Sequence, residues 1–177
     1  MPQFATSRYV AHSADEMFRL VADMERYPEF LPFCQRNAIR SHQSRDGVEL
    51  LTTEMTVAHL MFRESFRSVI TLDQANGRIF VTAADGPLRR LDGRWTFRDC
   101  GADRCEVGFS VSYEFSSRML ALVMGPVLGA AFSSFVQAFE RRADALYGRT
   151  RHVPAAPSVQ PGLSPVAEHA VTVPDGR

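Results

Sequence analysis

From Cys34 to Phe115 the chain reads as successive β-strands with no helix among them, and one long helical pattern follows only after that run. Such an order cannot build strand–helix–strand crossover units, which leaves an α+β fold with an antiparallel sheet. Asp46-Gly47 and Asn76-Gly77 are strong hairpin signals, and Asp85-Gly86-Pro87 and Cys100-Gly101 mark two further turns. A break is also needed near 59–62, because 48–72 is too long for one strand. Strands are therefore predicted at 34–44, 48–59, 62–72, 78–84, 88–99 and 104–115. Alternation is clearest in the last, where Cys105, Val107, Phe109, Val111, Tyr113 and Phe115 share a face. Strands apolar on one side only imply a sheet with one wet face.

Ahead of this run, residues 4–12 alternate as a seventh strand. Ser13-Ala14-Asp15-Glu16 is a capping box, and the helix it opens carries Met17, Leu20, Val21 and Met24 on one side. Pro28 and Pro32 then bracket at most one short helical turn, which presents Phe30 and Leu31. Behind the last strand, Ser116 and Ser117 offer caps for the long helix and Gly148 its terminator. Leu128, Phe132, Phe135, Phe139, Ala143 and Leu146 recur at helical spacing, with Arg141, Arg142 and Asp144 facing away. Pro126 predicts a kink or a fresh start. Beyond Gly148 the chain has five prolines and no aromatic residue. A folded domain over 1–148 and a disordered Pro-rich tail over 149–177 are expected.

Charge narrows the chemistry. All twenty basic side chains are Arg, balanced by twenty acids. Without Lys there is neither a Schiff base nor a phosphate-cradling P-loop. A neutral total gives no reason to expect DNA as a partner. Cys34, Cys100 and Cys105 sit at no metal-ligand spacing, so no metal is expected; reduced thiols are the simplest reading. With no GxSxG elbow and no His–Cys–carboxylate cluster, no catalytic residue is nominated and a non-enzyme is expected. Only Glu64 and Tyr113 project as titratable groups from apolar strand faces. No signal segment or apolar run of membrane-spanning length is visible, which predicts a cytoplasmic chain.

Three stretches carry a family resemblance. They are Tyr27-Pro28-Glu29-Phe30-Leu31-Pro32-Phe33-Cys34, the segment from Gly86-Pro87-Leu88 through Leu91, Gly93, Trp95 and Phe97, and the closing helix, through Phe115-Ser116-Ser117 and Ala138 to Gly148. Together they resemble the START-like, helix-grip superfamily, related to polyketide cyclases, and within it the ubiquinone-binding coenzyme Q chaperones. The resemblance implies a curved antiparallel sheet of six to seven strands around a long C-terminal helix, with two short helices after the first strand. It implies ubiquinone or a similar prenylated lipid bound as ligand in support of respiration, with no further cofactor. Trp95 is the first residue carried over, joined by Phe30, Leu31, Phe66, Pro87, Leu88, Leu91, Phe109, Phe132 and Phe135. Met119, Leu120, Val123 and Met124, in an uncharged stretch, are expected to touch a partner: the inner face of the cytoplasmic membrane or a respiratory complex. The same family contains ribosome-association toxins, so a ribosome is the alternative partner. A local Arg patch at 89, 90, 94 and 98, or at 141, 142, 149 and 151, would serve it. A cyclase or dehydratase ranks below both.

Overall fold

The structure, a computed structural model, describes residues 2–148 apart from Leu60 and Ala102. The expected tail lies outside the described residues. Strand β1 (Gln3–Val10) leads through the Ser13 cap into α1 (Ala14–Ala22). The capping box is complete: Ser13 Oγ accepts from the Glu16 amide at 3.2 Å, and the Glu16 carboxylate accepts from the Ser13 amide at 2.9 Å. Next comes a short 3₁₀ helix, Met24–Glu29. It ends before Phe30, so the helical turn sits one step earlier than the prolines suggested. Pro28 lies inside it.

Six strands follow: β2 (Cys34–Arg45), β3 (Val48–His59), β4 (Phe62–Asp73), β5 (Arg78–Asp85), β6 (Leu88–Asp99) and β7 (Cys105–Phe115). Their turns fall where the hairpin signals stood. Asp46 and Gly47 both take positive φ, at 52° and 80°, as a two-residue turn demands. The seven strands form one antiparallel sheet in the order β1-β7-β6-β5-β4-β3-β2. The meander from β2 to β7 is sequential, and β1 closes on its far side against β7.

Helix α2 (Arg118–Tyr147) crosses the inner face of the sheet. Ser117 Oγ accepts from the Leu120 amide at 3.1 Å, and Gly148 ends the helix at φ 82°. There is no fresh start at Pro126; α2 is one element through it. A proline here removes the amide that would bond the Leu122 carbonyl, and the Leu122 side chain is 79% exposed, so water can serve that carbonyl instead. The buried stripe also differs from the expected one. It runs through Ala131, Phe132, Val136, Ala138, Phe139 and Ala143, while Leu146 is half exposed. Nor do Arg142 and Asp144 face away. Asp144 Oδ1 meets buried His12 at 2.9 Å, and Arg142 bonds Glu29 at 2.6 Å.

The core gathers on the concave side. Trp95 packs on Phe109 with ring centroids 4.3 Å apart and edge-on to Phe139 at 5.1 Å. Phe4, Phe109 and Tyr113 surround Phe132 at 5.7–6.0 Å. These contacts fasten the C-terminal half of α2 to β1, β6 and β7.

Candidate functional site

A cavity of about 230 Å³ lies between the inner sheet face and α2. Its sheet wall comes from β2 to β7, with Met55, Phe66, Ile70, Leu91, Trp95 and Phe109 contributing. Leu120, Met124, Leu128, Ala131, Phe132 and Phe135 form the helix wall. The rest comes from the loop before β2, through Leu31, Pro32 and Phe33, and from Pro87 and Leu88 at the start of β6. A void this size is small beside the roughly 300–1,000 Å³ of pockets that enclose drug-sized ligands. A long chain would therefore have to run out through the mouth.

Of the residues expected at the site, Trp95, Leu31, Phe66, Pro87, Leu88, Leu91, Phe109, Phe132 and Phe135 are on the cavity wall. Phe30 is not. Its ring stands edge-on to Tyr27 at 5.8 Å and to Phe139 at 5.2 Å, with the Arg142 guanidinium 5.4 Å above it. It is locked behind the wall because the 3₁₀ helix ends by turning it inward onto α2. The uncharged stretch of α2 splits. Leu120 and Met124 face the cavity, whereas Met119 is 77% exposed. The side chain of Val123 lies outside the described ones.

Phe33 shapes the loop wall. It holds φ at 67°, unusual for a bulky residue, and its carbonyl accepts from the Ala58 amide at 2.9 Å. Its ring meets His59 edge-on at 4.7 Å. Strain of this kind persists where the surroundings over-determine it.

Polar groups are few and specific. Asn37, Thr53 and Ser68 are buried and line the cavity from β2, β3 and β4. Asn37 Oδ1 and Ser68 Oγ have no hydrogen-bond partner. Thr53 and Ser68 are cross-strand partners, and their neighbours along the same face are the pair Met55 and Phe66. Sequence reasoning missed all three. Thr53 and Ser68 had a signal, since they occupy the inward phase of alternating strands.

Two titratable groups of the wall, Cys34 and Tyr27, are held protonated by burial. Desolvation pushes the Cys34 thiol up to about 11, against a smaller opposing pull from a backbone hydrogen bond at Arg36. Burial also raises the Tyr27 hydroxyl, which donates to the Val21 carbonyl at 2.5 Å; Tyr113, likewise raised, packs on Phe132 and is not among the wall residues. Glu64 reaches water at the cavity edge, as its strand-end position allows. Among the described residues no cluster of three metal-ligating side chains exists, and all three cysteines are free thiols.

Comparison with known proteins agrees with this geometry. The ribosome association toxin RatA of Vibrio cholerae is 33% identical over 148 residues, covering 84% of this chain and 99% of that protein. The mitochondrial coenzyme Q-binding protein COQ10 homolog B of Xenopus laevis is 30% identical over 159 residues, covering 87% of this chain and 62% of that one. The solution structure of the 18 kDa protein CC1736 from Caulobacter crescentus superposes with a TM-score of 0.69 at 26% identity, over 84% of this chain and all of the other. Residues 10–140 match the model of one family, so the chain belongs to the polyketide cyclase / dehydrase and lipid transport family, with a START-like fold.

Proposed function

We propose that this protein is a non-enzymatic carrier of an apolar lipid with a polar aromatic head, coenzyme Q first among the candidates. The observation that carries the reading is the cavity itself, whose wall is nearly all apolar and rich in aromatic rings. Burial of a prenylated ring there would supply affinity at roughly 25 cal/mol per Å² before ordering costs. The similarity to a coenzyme Q-binding protein supports the choice of ligand. The raised values of Cys34 and Tyr27 remove these two wall groups as general bases, which should titrate near the working pH. Exchange with a bilayer would use exposed apolar side chains near the wall residues in sequence: Met119 and Leu122 on α2, beside Leu120, and Met61 on the β3–β4 turn, beside His59, stand 77–97% exposed. No helix among the described residues is long and apolar enough to cross a membrane, so this contact would be peripheral.

Mass spectrometry of lipids extracted from the purified protein tests the reading. A prenylated quinone at near-stoichiometric level is expected. A lipid-free protein that also fails to bind added quinone would refute it.

A second reading, association with the ribosome, is supported by the similarity to RatA. The outer sheet face offers it little, because Arg89, Arg90 and Arg98 are paired with Glu114, Asp92 and Glu106, and Arg94 lies over Phe80. Ribosome pelleting across a salt series separates the two, since phosphate contacts weaken steeply with salt.

A further inference from the structure

Within a mainly apolar cavity, two polar side chains are buried with an atom that has no partner. Leaving such a group unsatisfied costs about 1–3 kcal/mol, and native proteins keep few of them unless they serve something. Asn37 comes from β2 and Ser68 from β4, so β3 lies between them, and Thr53 on β3 stands directly opposite Ser68. All three open onto the same void. Asn37 stands opposite Met55, two residues along β3 from Thr53; with adjacent strands about 4.8 Å apart and a rise of about 3.3 Å per residue, Asn37 and Ser68 lie roughly 12 Å apart at the backbone. They are too far apart to share one small group, and suit two polar atoms on a single ring.

The kind of group follows from the donors and acceptors present. The Asn37 carboxamide has a donor nitrogen and an acceptor oxygen, and the oxygen is buried with no partner among the described residues. The Ser68 hydroxyl can both give and take a proton in a hydrogen bond. A ring carbonyl only accepts, so it would satisfy the amide nitrogen and leave the oxygen orphaned. A ring hydroxyl does both, and it fits whichever way round the carboxamide is placed. Trp95, Phe109 and Phe132 supply aromatic faces on the wall of the same void.

We propose that Asn37 and Ser68 form the head-group subsite of the cavity, and that this subsite selects a hydroxyl-bearing ring, a hydroquinone, over the corresponding quinone. The proposal rests on the carrier reading above and adds the redox form of the cargo. It gives the protein a bias toward collecting the reduced lipid and releasing the oxidised one.

The test is anaerobic calorimetric titration of the full chain with a decyl-substituted dimethoxy-methyl-benzoquinone and, separately, with its hydroquinone. One extra neutral hydrogen bond is worth about fivefold in affinity, so the hydroquinone should bind about fivefold tighter or better. The gap should close in Asn37→Leu, which loses the acceptor that only the hydroquinone satisfies, whereas Ser68→Ala should weaken both forms alike. Ser68→Ala removes an unpartnered hydroxyl and so should not weaken the fold, which keeps the test valid if Asn37→Leu misfolds. Equal affinity for the two forms, a preference for the quinone, a hydroquinone preference that survives Asn37→Leu, or unchanged affinity for both forms in Ser68→Ala would overturn the subsite while leaving the carrier standing. If neither form binds the wild-type protein, the carrier reading and the subsite fall together.

Discussion

Filling the cavity separates a void kept for a ligand from a void that is merely poor packing. Ala131 sits on the inner face of α2, is 3% exposed and contributes to the cavity wall. Leucine there keeps high helix propensity and points three more carbons into the space. At about 0.8 kcal/mol per buried carbon, the upper bound of the gain is about 2.4 kcal/mol. Ordering the leucine side chain takes back about 0.5–1 kcal/mol, which leaves about 1.5–2 kcal/mol. For a domain of this size that is a rise of about 3–8 °C in Tm. The same side chain occupies ligand space beside Phe132. Ala131→Leu should therefore unfold at higher temperature and bind decyl-benzoquinone at least tenfold more weakly, by differential scanning fluorimetry and calorimetry on one preparation. A fall in Tm would mean that α2 and the sheet are already in contact at this point. A rise in Tm with unchanged binding would mean that the ligand goes elsewhere.

Three other outcomes are expected. Gly77→Ala places a Cβ 2.5 Å from the Phe97 carbonyl at a φ of +58°, so it should lower stability by about 1–3 kcal/mol in urea unfolding; a neutral result would mean that the β5 turn can shift. Met119→Asp combined with Leu122→Asp should abolish flotation with liposomes and leave Tm within a degree or two, because both side chains are exposed; retained flotation would move the membrane contact elsewhere. Hydrogen bonds from Arg40 and, next, Arg67 hold the Glu54 carboxyl below the usual range, so its contribution to stability is full above that range and is lost as pH falls through the lowered value. Glu54→Gln should flatten the acid side of the stability profile, and a profile identical to wild type would show that the ion pairs contribute nothing.

Much of the frame was legible because turns announce themselves locally. Asp46-Gly47, Gly77, Gly86 and Gly101 all take positive φ, which Gly and Asp tolerate, so strand limits could be read within a residue or two. Alternation then told which side of β6 and β7 faces inward. The same logic failed on β2 for a physical reason. A bulge between Cys34 and Arg36 shifts the phase, so that Asn37 shares the inner face with Cys34. Counting in twos from Cys34 puts Asn37 on the wet side. Phe30 was misplaced for a related reason, since nothing in a proline-bracketed segment fixes which of two adjacent apolar residues turns inward. How far α2 stands from β2, β3 and β4 depends on sheet curvature, which no local pattern encodes.

The pairing of β1 with β7 has a consequence for how the molecule is made. Ser7 bonds Glu106 across 99 positions of sequence. Strands β2 to β7 can zip together in the order in which they leave the ribosome, each against its predecessor. β1 emerges first and must wait, its edge uncovered, until β7 arrives. Closing so long a loop is entropically dear and slow. Helix α2 is made later still and packs on β1 and β7 together, through Phe132 against Phe4 and Phe109. The chain therefore spends its synthesis as an open trough, and only the final strand and helix turn that trough into a chamber.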